Sequence, residues 1–120
     1  MSEQDRREHP RLPLELLVQF RLPSMDEFMR EYASNISVGG MFIRTGTPHP
    51  EGSRVYLQFR LEDGSKIIEG LGQVVHVNPP EANNPGMGVE FINLDDASRA
   101  FIEELVNQRL GDVEGDTESQ

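Results

Sequence analysis

Apolar residues that alternate with polar ones, in short stretches broken by turn signals, limit the folds open to this chain more than any other feature. Leu14, Leu16, Val18, Phe20 and Leu22 fall on one side of an extended backbone, with Glu15, Gln19 and Arg21 on the other. That is the pattern of a half-buried strand. Pro23 and Ser24 open a turn, and Phe28 to Ile36 reads as a second strand with weaker alternation. Asn35-Ile36-Ser37-Val38-Gly39-Gly40 then turns the chain into a short third strand, Met41 to Arg44. Past a loop marked by Gly46, Pro48, Pro50 and Gly52, Val55, Leu57, Phe59 and Leu61 alternate with Tyr56, Gln58 and Arg60 as a fourth strand. Asp63-Gly64 is a strong hairpin signal leading into the fifth, Lys66 to Val77, where Gly70 and Gly72 suggest a bulge or a sharp bend. Beyond the loop Asn78 to Pro85, Met87, Val89 and Phe91 alternate with Gly86, Gly88 and Glu90 in a sixth.

The period then changes. Leu94, Ala97, Phe101, Ile102, Leu105 and Val106 recur at helical spacing, with Asn93 or Asp95 placed to cap the start and Gly111 to end it. Strands without crossover helices, followed by one helix, predict an all-β fold with one helix. Its form is a six-stranded antiparallel β-barrel with the C-terminal helix laid against it. The expected division is an arm over 1–13, barrel and helix over 14–110, and an acidic tail over 111–120. That tail carries Asp112, Glu114, Asp116 and Glu118 without a base and reads as disordered.

Charge and composition exclude several classes of function. A net charge of −10 argues against broad binding to DNA or RNA, which relies on a basic surface. With no cysteine there is no thiolate chemistry, disulfide or Cys-type zinc site. No apolar run approaches the roughly 18 residues of a membrane span, so no membrane insertion and a cytoplasmic location are expected. His9, His49 and His76 lack metal-ligand spacing. Glu62-Asp63 sits at a hairpin and Asp95-Asp96 at a helix start, where acids complement the helix dipole. No catalytic residue, metal site or cofactor is expected, and the chain does not read as an enzyme.

Two polar segments remain. Arg7-Glu8-His9-Pro10-Arg11 lies in the arm that Pro10 and Pro13 keep extended, at a spacing that lets two guanidinium groups converge on one object. Asn35 and Ser37 carry short side chains whose oxygens can bond nearby backbone or a ligand. Gly39 and Gly40 allow positive φ and leave no Cβ to keep a guest away.

On these segments the chain resembles the PilZ domain, the bacterial receptor for cyclic di-GMP. The family's motifs, RxxxR before the first strand and (D/N)xSxxG between the second and third, are matched by Arg7-Glu8-His9-Pro10-Arg11 and Asn35-Ile36-Ser37-Val38-Gly39-Gly40. The resemblance covers roughly residues 6 to 107 and implies a ligand held on the barrel's outer surface. A guanidinium suits cyclic di-GMP because it can bond phosphate or guanine O6 and N7 bidentately and can stack on a base. Arg7 and Arg11 are therefore assigned to phosphate and guanine contacts, Asn35 and Ser37 to polar edges of a guanine, and Gly40 to close backbone approach. Arg6, directly before the first motif, is associated in the family with an intercalated pair of ligands and predicts two cyclic di-GMP molecules per domain. Asn35 stands where the family more often has Asp. The resemblance further implies an arm ordered by the ligand and a downstream protein partner in motility, pili, exopolysaccharide or gene expression control. The alternative reading is a protein-interaction scaffold that keeps the fold and no longer binds nucleotide.

Overall fold

The structure, a computed structural model, describes residues 15–118. Among these residues the strands are β1 (Leu16–Leu22), β2 (Gly40–Arg44), β3 (Arg54–Leu61), β4 (Lys66–Asn78) and β5 (Gly86–Leu94). The helices are α1 (Met25–Tyr32) and α2 (Asp96–Glu118), and a 3-10 turn spans Ala33–Asn35. Apart from the second, the expected strands form close to their expected bounds, since alternation and turn residues agree there.

The second strand is a correction: Phe28 to Ile36 lies in α1 and the 3-10 turn. Ser24 caps α1 by accepting from the Glu27 N–H at 3.2 Å, and Asp26 and Glu27 lie in the first turn, where the helix dipole favours acids. Met25, Phe28, Met29 and Tyr32 fall on one helical face, and Phe28 and Tyr32 are buried. This spacing outweighs the local alternation because it delivers two rings to the core. Phe28 meets Phe59 edge-on at 6.1 Å and lies 5.9 Å from Phe101 of α2, while Tyr32 meets Phe59 at 5.2 Å.

Placing a helix there also changes the topology. The five strands form one sheet in the order β1-β3-β4-β5-β2, so β1 and β2 are its two edges. β1 runs parallel to β3, with Leu16 opposite Val55 and Leu22 opposite Leu61, and the other pairs are antiparallel. The expectation of a closed, wholly antiparallel six-stranded barrel is therefore overturned. α1 carries the chain away from β1, β2 joins the far edge on β5, and β3 returns beside β1 in the same direction.

The buried side of the sheet carries Val18, Ile43, Leu57, Phe59, Val74 and Val89, covered by α1 and by Ile102 and Leu105 of α2. Paired residues share a face, so the other face carries Arg54, Tyr56 and Gln58 of β3 with their partners. The register slips near Gly72 and again before His76, the bulging that the glycines of β4 suggested. At the start of α2, the Asp95 carboxylate accepts from the Ser98 N–H at 2.8 Å, so Asp95 is the cap. The helix runs past Gly111 to Glu118, and the expected stop at Gly111 is not a helix end. One interior glycine weakens a helix by only about 1 kcal/mol. Among the described residues no helix is long and apolar enough to cross a membrane.

Candidate functional site

The turn from Asn35 to Gly40 is held by its own polar atoms. Ile36 is buried and forms an antiparallel bridge with Met41, while Asn35, Ser37, Val38 and Gly39 are exposed. The Ser37 N–H donates to the Gly40 carbonyl at 2.8 Å. Its hydroxyl accepts from the Gly40 N–H and donates to the Gly40 carbonyl, each at 3.2 Å. A hydroxyl has two lone pairs, so Ser37 keeps one acceptor site to offer outward.

The two glycines do different work. Neither has positive φ, which among the described residues occurs at Gly52, Gly64, Gly70 and Gly86. A Cβ on Gly40 would lie 2.4 Å from the Val89 carbonyl oxygen, so what comes close to Gly40 is the backbone of β5. A Cβ on Gly39 would meet nothing within 4 Å, which makes Gly39 the bare, open position.

Arg6, Arg7 and Arg11 lie outside the described residues, but the point where their segment joins the sheet is described. Glu15 precedes β1, whose first residue lies opposite Val55, next to Arg54. From Arg54 one row of paired residues crosses the outer face: Arg54 opposite Gln73, Gln73 opposite Glu90, and Glu90 opposite Gly40. The root of the arm and the turn thus sit at the same end of the sheet. Four strand spacings of about 4.8 Å separate their strands, ~19 Å in all. An extended chain covers ~13 Å between residues 15 and 11 and ~26 Å between residues 15 and 7. That length is enough to bring both motif arginines over the row.

Sequence reasoning missed the residues of this row because alternation assigns a face but not a cross-strand neighbour. The side chain of Arg54 has no hydrogen bond or ion pair with another described residue, whereas the side chains of Arg21, Arg30, Arg44, Arg60, Lys66 and Arg99 are all paired. The next row holds Phe42, Gly88 and His76, whose Nε2 lies 2.8 Å from Asn78 Oδ1.

On the other side of the Arg54 row, next to the pairs Tyr56–Leu71 and Leu71–Asn93, lies a cleft of about 560 Å³ lined by Glu15, Tyr56, Glu69, Asn93, Asp95 and Arg99 among others. Two of its acids, Glu69 and Asp95, are already engaged. Glu69 accepts from Tyr56 Oη at 2.8 Å, Gln58 at 3.2 Å and Arg60 at 2.7 Å. Burial alone would raise the Glu69 carboxyl, but the bonds from Tyr56 and Gln58 and the charges of Arg60 and Lys66 hold it below the usual range. Burial likewise opposes ionisation of Asp95, and hydrogen bonds from Lys66 and Ser98 bring it down to about 2. Neither group is set up to give a proton near neutral pH.

Comparison with curated proteins gave no match. Comparison with family models matched the PilZ domain over residues 5–108, a span that takes in both arginine positions of the arm and the whole Asn35–Gly40 turn. With that match over nearly all of its length, the chain belongs to the PilZ domain family.

Proposed function

We propose that this protein is a non-catalytic cytoplasmic receptor for cyclic di-GMP. The arm closes on nucleotide lying along the outer face between Arg54 and the Asn35–Gly40 turn. Arg7 and Arg11 meet phosphate and guanine, Asn35 and Ser37 meet a guanine edge, and Arg6 supports a second ligand molecule. The ordered arm and the covered face then make a new surface for a protein partner, with output in motility, pili, exopolysaccharide or gene expression. The observation that carries the reading is the register row that puts the root of the arm and the motif turn at one end of the sheet.

The competing reading, a scaffold without ligand, draws support from Ser37, whose hydroxyl proton and one lone pair serve the turn, and from Gly40, whose missing Cβ makes room for β5. Calorimetric titration of cyclic di-GMP into the wild type and Arg7→Ala separates the two. The receptor reading expects binding weakened at least tenfold in the variant, since a charge-assisted bond is worth about 1.5 to 3 kcal/mol. No heat from the wild type favours the scaffold. A ratio of one ligand per domain removes the role given to Arg6.

A further inference from the structure

We infer that Glu90 selects the base: its carboxylate accepts hydrogen bonds from the N1–H and N2–H groups of a guanine seated beside Gly40. This inference rests on the cyclic di-GMP reading and assigns a contact outside both sequence motifs. Glu90 is directly opposite Gly40. The Phe91 N–H donates to the Gly39 carbonyl at 2.9 Å, so by the alternation of antiparallel pairs Gly40 and Glu90 form the close, non-hydrogen-bonded pair. Gly40 presents no side chain and Gly39 faces open space, so the ground beside the Glu90 carboxylate is clear on the turn side. Glu90 is exposed, and its side chain makes no hydrogen bond or ion pair with another described residue. Among the described residues, nothing competes with a guest for that carboxylate.

Chemistry decides which part of the guest it takes. A carboxylate only accepts, so it repels phosphate and meets a base through donors. Guanine places two neighbouring donors, N1–H and the N2 amine, along one edge, matching the two oxygens of Glu90 with charge-assisted bonds. The corresponding edge of adenine has an acceptor at N1 and no N2 amine, so a carboxylate rejects it. The free lone pair of Ser37 calls for a donor on the same side. Arg54, at the far end of the row, offers the positive charge that phosphate needs. The row thus sets an orientation, base toward the turn and phosphate toward the arm.

Titrations of the wild type, Glu90→Ala and Glu90→Gln with cyclic di-GMP, cyclic di-IMP and cyclic di-AMP test this; the inosine compound lacks only the N2 amines. The wild type should prefer cyclic di-GMP over cyclic di-IMP by about tenfold and over cyclic di-AMP by more. In Glu90→Ala the first ratio should fall to within about twofold of unity. Glu90→Gln keeps the shape and one acceptor oxygen, so it should show an intermediate ratio and keeps the comparison measurable if the alanine variant binds too weakly. A ratio unchanged in both variants overturns the inference while leaving the receptor reading in place. So does tighter binding of all three nucleotides at an unchanged ratio, which would make Glu90 a repelling charge only. Failure of the wild type to bind cyclic di-GMP overturns both. An unchanged thermal melt in the variants certifies the fold.

Discussion

Gly40 and Glu90 face each other across β2 and β5 so closely that a Cβ on Gly40 would come 2.4 Å from the Val89 carbonyl and 3.2 Å from the Glu90 Cα. Backbone atoms cannot yield as the end of a flexible side chain can. Gly40→Ala should therefore lower stability by about 1 to 3 kcal/mol, the range of overpacking in a tight site. Gly39→Ala meets nothing and should stay within ~0.5 kcal/mol of the wild type. Urea unfolding of the two variants checks this, and equal losses would show that the turn does not sit as described.

Arg54 gives a prediction about affinity without stability. No described residue pairs with it, so Arg54→Ala should leave the urea midpoint nearly unchanged, as for surface positions in general. Loss of a charge-assisted contact should still weaken cyclic di-GMP binding by about tenfold or more. Calorimetry at two salt concentrations reads the effect, and the variant should show the smaller salt dependence.

Helix α1 supplies a test of the fold itself. Removing the Ser24 cap should lower stability by about 1 kcal/mol in Ser24→Ala. Phe28→Ala should lower it by about 3 to 5 kcal/mol, because the ring is fully buried among Phe59, Tyr32 and Phe101. Were this segment an edge strand, the Ser24 change would be silent. Denaturant titration of both variants discriminates.

Acid should weaken the start of α2. The carboxyl of Asp95 is held at about 2, below its ordinary 3.8. A group with a depressed folded-state pKa stabilises fully above its unfolded pKa and loses that contribution as pH falls through the folded value. Stability should thus decline between roughly pH 4 and pH 2 in part through Asp95. Asp95→Asn retains a capping oxygen and lacks the titration, so its midpoint should change less over that window in urea unfolding at stepped pH.

The places where sequence failed share a cause. Phe28 to Ile36 contains aromatic and β-branched residues that suit a strand, yet Ser24 and Glu27 at capping spacing and the Met25-Phe28-Met29-Tyr32 stripe were also visible. Which pattern wins depends on whether the rings are needed in the core. Once α1 is in place, β1 must take β3 as a parallel neighbour, a pairing that alternation cannot reveal. The Asn35–Gly40 motif was legible because turn chemistry is local. The reason for Gly40 was not, since it depends on β5, some fifty residues on. Arg54 and Glu90 were hidden for the same reason: they become neighbours of the motif only through register across several strands.

The two segments that carry the family motifs join the sheet at opposite borders, one leading into β1 and the other into β2, and among the described residues these borders are not bonded to each other. A guest gripped from both sides acts as a crosspiece over β3, β4 and β5. Its grip should damp the splaying of the whole layer, slowing amide exchange in inner strands far from the nucleotide. Occupancy would then be sensed as stiffness by whatever docks on the molecule, with no part needing to change its shape.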